Sequence, residues 1–168
     1  VIIAFCGYSR VGKDTAAVFL PNFRRIAFAD QLKEDLAGFI LTHYGIDVWH
    51  MTEEEKKLVR PMLVEHGRIK RTMNPNHWVE LADTKMRLLQ QVGAASDFVI
   101  TDLRYPNEAK YVLDKGGKVV LLSRPGYEAA NEEEARSVME IESGGLFTRH
   151  IVNGGSLGEL EKKVEGIA

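Results

Sequence analysis

Six apolar residues, Val1-Ile2-Ile3-Ala4-Phe5-Cys6, run directly into Gly7-Tyr8-Ser9-Arg10-Val11-Gly12-Lys13-Asp14-Thr15. A short β-branched apolar run bounded by glycine reads as a strand buried on both faces, which places it in a parallel sheet. Residues 7–12 then form a loop, and 13–20 a helix ended by Pro21-Asn22. A buried strand, a glycine turn and a helix at the start of a chain leave few architectures open. The helix must cross a sheet face in a right-handed sense and return the chain to a parallel partner strand.

The rest of the chain continues that alternation. Further strands are expected at 25–28, 98–101, 118–123 and 149–152. A helix over 31–44 places Leu32, Leu36, Phe39, Ile40 and Leu41 on one face. Thr52 with Glu55, and Ser156 with Glu159, have capping-box spacing and mark two helix starts. Asn74-Pro75 opens another helix, with Trp78, Leu81, Ala82, Leu88, Leu89 and Val92 as its apolar face and Gly93 as its stop. Pro106 fits the first turn of a helix that Gly116-Gly117 ends. No repeat or linker interrupts the 168 residues, so a single α/β domain over 1–168 with a central parallel sheet is expected. Ligands in such folds lie at the carboxyl ends of the strands.

Charge and composition remove whole classes of function. The net charge of −2 lacks the basic excess of a nucleic-acid binder, so no nucleic-acid partner is expected. No stretch approaches the ~20 apolar residues that span a bilayer, and 1–6 is too short and lacks the basic flank of a signal peptide. No membrane partner is expected either. Cys6 is the single cysteine, which excludes an intrachain disulfide and suits a reducing compartment such as the cytoplasm. Residue 1 is Val1 rather than methionine, so a native start upstream of it stays open.

The segment from Gly7 to Lys13 fits G-x-x-x-x-G-K, the pattern of a phosphate-binding loop. Its glycines let backbone N–H groups turn inward around phosphate oxygens, and Lys13 reaches the β- and γ-phosphates as a point charge. The bland alternative is an ordinary strand-to-helix turn, but the pattern has the strand before it and the helix after it that the chemistry needs. Asp14 stands where Ser or Thr is usual; as a hard oxygen donor it is the favoured Mg²⁺ ligand, with the Thr15 hydroxyl as alternative.

Thr101-Asp102-Leu103-Arg104 closes the strand at 98–101. An acid there suits Mg²⁺ ordering beside the phosphate loop, and Arg104 suits charge stabilisation on a transferring phosphoryl or grip on an acceptor phosphate. Arg60, Arg68, Lys70 and Arg71 concentrate positive charge in a slightly acidic chain, as an acceptor dianion requires or as a solvated helix face allows. Asp30 and Lys33 follow the second strand, where an acceptor site or a plain cap and surface lysine both fit. Trp78 lies in an apolar stripe and reads first as core, with stacking on an acceptor base as the alternative. The polar segment from residue 124 to 145 contains Arg124 and Arg136. The five histidines show no metal-ligand spacing.

Six segments then occur in order: GYSRVGKDT at 7–15, AFADQLK at 27–33, Arg60-Pro61-Met62-Leu63 through Gly67 and Arg71 to Asn74-Pro75-Asn76-His77-Trp78, TDLRYPNEA at 101–109, LSRPG at 122–126, and IVNGGSLGEL at 151–160. On these the chain resembles the deoxynucleoside monophosphate kinases of bacteriophages, within the adenylate-kinase-like P-loop kinases. The resemblance implies a three-layer P-loop NTPase fold with a five-stranded parallel sheet, acceptor-binding helices over 30–95 and a short lid over 124–147. It implies transfer of the γ-phosphate of ATP, with Mg²⁺, to a (deoxy)nucleoside monophosphate, in the host cytoplasm if phage-encoded, and a homodimer. Gly7, Arg10, Gly12, Lys13, Asp14, Thr15, Arg136 and Asn153 would face ATP. Asp14, Thr15 and Asp102 would serve the metal, and Lys13, Asp102, Arg104 and Arg124 the transfer. Asp30, Lys33, Arg60, Arg71, Trp78 and Arg104 would face the acceptor. The chain departs from the family between Pro125 and Gly145, where a His followed by Ser-Glu is replaced by Arg136, Ser137 and Glu140. The rival readings are a dephospho-CoA or phosphomevalonate type of kinase, and a nucleotide-gated binding module with no acceptor.

Overall fold

The apolar opening run becomes β1 (Ile2–Cys6), whose residues Ile3 to Cys6 are wholly buried. That burial needs a neighbour on each edge and a layer on each face. In a computed structural model, which describes residues 1–167, β1 lies at the centre of a five-stranded sheet. The order is β2 (Arg24–Ile26), β3 (Phe98–Ile100), β1, β4 (Lys118–Ser123), β5 (Arg149–Val152), and every pair is parallel. Registers such as Ala4 opposite Ile100 and Val119 align the carboxyl ends along one edge of the sheet. The outer strands are marked by charge: Arg24 and Arg25 on β2, and Arg149 and His150 on β5, are exposed, which discourages pairing with another chain.

The chain leaves β1 for β2 on one side and later crosses from β3 over β1 to β4 on the other. This reversal of winding at β1 opens a crevice at its carboxyl end, where open parallel sheets bind ligands. The helices that follow the strands here are α1 (Lys13–Val18), α5 (Pro106–Asp114), α6 (Glu132–Ser143) and α7 (Leu157–Glu165). One core cluster joins Ile3, Phe5, Val99 and Leu122 of the sheet to Ala16, Leu160 and Val164 of the helices. Each such large apolar side chain contributes roughly 1.5–3 kcal/mol when buried. Cys6 belongs to this interior: its Sγ lies 3.6 Å from Val120 O, and burial pushes its thiol up to about 12, so it is inert as a nucleophile.

By contacts the chain forms two compact units, Val1–Ala27 with Lys85 onward, and Phe28–Thr84. The second holds α2 (Phe28–Tyr44), α3 (Glu53–Met73) and most of α4 (His77–Gln91). Its own core gathers Ile40, Val48 and Val59, with Leu36, Met51 and Met62 packed on them. Among the described residues no helix is long and apolar enough to cross a membrane.

Several sequence expectations shift by a few residues, each for a local reason. The second strand ends at Ile26 and α2 begins at Phe28, so Phe28 is buried as the first residue of a helix and not as the end of a strand. Asp30 consequently sits in the first helical turn, where an acid suits the positive end of the helix. Helix α4 begins at His77, later than Asn74-Pro75, because Asn74 closes α3 and its Oδ1 accepts a 3.0 Å bond from the Asn76 amide. The apolar face of α4 holds at its start, where the expected Trp78 and Ala82 are buried together with Val79 and Met86. It fails at its end: Leu88 and, just past the helix, Val92 are 56% and 74% exposed. Phe39 and Leu41 of α2 likewise face solvent, although Ile40 between them is buried. Both anticipated capping boxes form, Thr52 with Glu55 and Ser156 with Glu159.

Candidate phosphate-binding site

At the carboxyl end of β1 the backbone must turn sharply without leaving the sheet. Gly7 does this at φ 131°, with the space its Cβ would need lying 2.0 Å from Leu122 O of β4. No side chain fits there. Arg10 is the one non-glycine among the described residues with positive φ, at 65°, a conformation that is costly without a compensating fold around it. Between them Val11 is fully buried and anchors the loop to the core. Gly12, at φ 104°, leads into α1.

Asn153, just past β5, donates its Nδ2 to Val11 O at 2.9 Å. The same nitrogen lies 2.7 Å from the position a Cβ on Gly12 would occupy. The amide anticipated as a nucleotide contact is therefore directed at the loop backbone, which makes Asn153 a positioning residue for the turn. Since α1 spans only six residues, the positive character of this end comes from loop amides and Lys13 rather than from a long aligned helix.

Lys13 folds back over the loop, donating to Gly7 O at 2.8 Å and to Tyr8 O at 2.7 Å. Burial holds its pKa below the ordinary lysine range; the carboxylate of Glu134 opposes that shift, and the guanidinium of Arg104 adds to it. Lys13 and Arg104 thus concentrate positive charge at the loop.

The second strand end supplies Arg104. Thr101 and Leu103 are buried, Asp102 is half-buried, and Arg104 is exposed beside the cavity that Gly7, Leu103, Tyr105, Glu134 and Ser137 also line. The turn is locked by Glu108, which is 4% exposed; its Oε2 accepts the Arg104 amide at 2.7 Å and the Tyr105 amide at 3.0 Å. Glu108 was not among the expected site residues. Its signal was present, as a glutamate two positions after Pro106 where a helix start needs an acceptor. Glu108→Ala removes the acceptor that these two amides share and should cost about 1–3 kcal/mol of stability, which a thermal melt of the variant checks.

The segment expected as a lid contains α6. Glu134 on its first turn accepts from the Ser9 amide at 2.9 Å and from the Ala130 amide at 2.7 Å, and Tyr105 Oη donates to Glu133 at 2.6 Å. Arg124 lies 4.8 Å from the ring of Tyr127, and Arg136 is exposed on α6. Asp14 and Thr15 are exposed at the start of α1, with Asp14 3.9 Å from Arg25 Nε, a solvated pair that contributes little. Asp14, Thr15 and Asp102 offer only hard oxygen donors, which fits Mg²⁺.

Within the helical unit the expected acceptor residues have different fates. Arg71 lays its guanidinium beside Gly67, 3.5 Å from where a Cβ would stand. Arg60 is exposed on α3, Asp30 is half-buried on α2, and Lys33 sits 5.4 Å over the ring of Trp49. Arg68 is held by Glu65 at 2.9 Å. Trp78 is core: it is 3% exposed, and its Nε1 donates to Gly67 O at 3.3 Å, so its ring is not offered to a base. The acceptor-stacking role considered for Trp78 falls with that burial. Gln31, in the stretch that follows β2, has a buried Nε2 with no hydrogen-bond partner among the described residues, as has His77 Nε2.

No family model matches the chain. Uncharacterized protein ORF76 of Ictalurid herpesvirus 1 (strain Auburn) is 25% identical over 162 residues, which are 95% of this chain and 64% of that protein. The chain therefore spans less than two thirds of that relative. Among solved structures, a dephospho-CoA kinase from Campylobacter jejuni superposes with a TM-score of 0.54 at 15% identity, covering 99% of this chain and 94% of that one. A shikimate kinase from Aquifex aeolicus gives 0.47 at 12% identity, over 98% and 94%. The first likeness, with the strand order above, gives the architecture: an α/β fold built on a five-stranded parallel sheet, as in that structure.

Proposed function

We propose that this chain is an ATP-dependent phosphotransferase whose acceptor is a (deoxy)nucleoside monophosphate, converted to the diphosphate. The observation that carries this reading is the union of a glycine-turned loop, the Lys13 ammonium folded back over it, and Arg104, which lines a crevice with Gly7 and whose charge is felt at Lys13. Such a cradle suits a polyphosphate: inward amides and a point charge bind the donor, and a guanidinium stabilises charge that spreads over the transferring group.

In this reading the loop from Gly7 to Thr15 orients the donor phosphates for in-line attack, and Lys13 and Arg104 neutralise the oxygens of the moving phosphoryl. Asp14 or Thr15, with Asp102, would hold Mg²⁺, which supplies further charge neutralisation when bound. Arg124 and Arg136 belong to the segment that would exclude water during transfer. Arg60 and Arg71 would grip the acceptor's phosphate. No general base is required, because the attacking oxygen of a monophosphate is already anionic.

The test is a coupled ADP-release assay with Mg²⁺ and ATP across deoxy- and ribonucleoside monophosphates, with dephospho-CoA as a comparison acceptor. Turnover with at least one nucleoside monophosphate is expected. Turnover with dephospho-CoA alone moves the acceptor class, and ATP binding without any acceptor-dependent turnover makes the chain a binding module.

A further inference from the structure

Glu134 stands where an anion belongs. Ser9 belongs to the glycine-turned loop, and its amide, a donor that an anion could take, is hydrogen-bonded to Glu134 Oε1 at 2.9 Å. The other oxygen of that carboxylate takes the Ala130 amide at 2.7 Å, so both oxygens are held by backbone. The charge faces Lys13 closely enough to favour its protonated form. One residue earlier, Glu133 accepts from Tyr105 Oη at 2.6 Å, which ties the same helical turn to the segment that bears Arg104. Two adjacent acids of α6 thus bind the two strand-end segments of the cradle.

We propose that the first turn of α6 is an internal acid latch: the Glu134 carboxylate substitutes for a phosphate on the loop and must leave when a nucleotide arrives. The inference rests on the nucleotide-binding reading above. An N–H donates one good hydrogen bond, so Glu134 and a phosphate oxygen compete for the Ser9 amide rather than share it. The competitors also carry the same sign of charge, and a carboxylate left in place would repel the incoming polyanion. The latch therefore weakens nucleotide binding. In return it keeps the empty loop satisfied and couples nucleotide entry to movement of α6, since leaving the Ser9 amide also frees the Ala130 amide. The Tyr105–Glu133 bond extends that coupling to the turn carrying Arg104.

Calorimetric titration of MgATP into wild type, Glu134→Gln, and Glu132→Gln as an exposed control on the same turn tests the proposal. Glutamine keeps the shape of Glu134 and removes its charge. The expected result is a Kd about tenfold lower for Glu134→Gln at low salt, an advantage that shrinks as salt rises, and less than twofold change for Glu132→Gln. In wild type, ATP should also accelerate hydrogen exchange at the Ala130 amide, a readout that does not depend on any variant folding. Equal or weaker ATP binding by Glu134→Gln, or an Ala130 amide that ATP slows, overturns the latch and leaves the nucleotide reading intact. Absence of ATP binding in all three proteins overturns both.

Discussion

Lys13→Met should lower kcat/KM for ATP by about 10³-fold while leaving the melting temperature within a few degrees of wild type. Methionine matches the length of the lysine stem, so the change removes the charge and little else. The ammonium donates to Gly7 O and Tyr8 O, two carbonyls of a partly solvated loop, and its burial already disfavours its charged form. Loss of two hydrogen bonds is therefore offset by relief of a desolvated charge, and stability should hardly move. Activity has no such compensation, because in the proposed reading the Lys13 ammonium is the charge that follows the phosphoryl as it transfers.

The same burial predicts the pH profile. A lysine whose pKa is lowered in the free protein loses its proton at a pH below the ordinary value of about 10.4, so kcat/KM for ATP should fall on an alkaline limb displaced downward. Bound phosphates favour the ammonium and push its pKa back up, so the limb in kcat should lie at higher pH than the limb in kcat/KM. Coincident limbs, or a limb that persists in Lys13→Met, would remove Lys13 from the assignment.

Those features were legible in the sequence because each depends on near neighbours. The run of buried residues before Gly7, the glycine spacing of the loop, and the Thr52–Glu55 and Ser156–Glu159 caps are all decided within a few residues, and each formed where the pattern put it. The strands Lys118–Ser123 and Arg149–Val152 were legible for the same reason, as apolar or β-branched runs closed by polar segments. What the pattern missed is decided by distant partners. Ser9 and Glu134 are 125 residues apart, and Asn153 meets Val11 across 142, so no local spacing announces either bond. At α4 the expected Trp78 and Ala82 are core, but Leu88 and Val92, which have the right chemistry for a core, are exposed, because burial depends on which distant element covers a face and not on the residue type. Phe28 was misread because an aromatic suits both a strand end and a buried first helical turn, and only the position of β2 beside β3 separates the two.

Gly7→Ala should be the most damaging small substitution in the chain. A methyl group at this position meets Leu122 O at 2.0 Å, a backbone atom of the central sheet that cannot rotate away, and the residue must also hold φ at 131°. Either the loop lifts from β4 or the β1–β4 ladder opens, and steric and backbone strain together should cost about 2–6 kcal/mol. Gly12→Ala is the informative comparison. Its methyl group meets Asn153 Nδ2 at 2.7 Å, a side-chain end that can swing aside at the loss of the Val11 bond, although φ 104° remains strained. Gly12→Ala should therefore keep more of its stability than Gly7→Ala, and Gly12→Ala with Asn153→Ala should be hardly less stable than Gly12→Ala alone, since the first change already displaces the amide. Denaturant unfolding of the three variants alongside ATP titration separates the cases: for Gly7→Ala stability and nucleotide binding should fall together, and for Gly12→Ala binding should fall further than stability. Wild-type stability in Gly7→Ala would mean that the loop does not press against β4, and the cradle built on that contact would have to be redrawn.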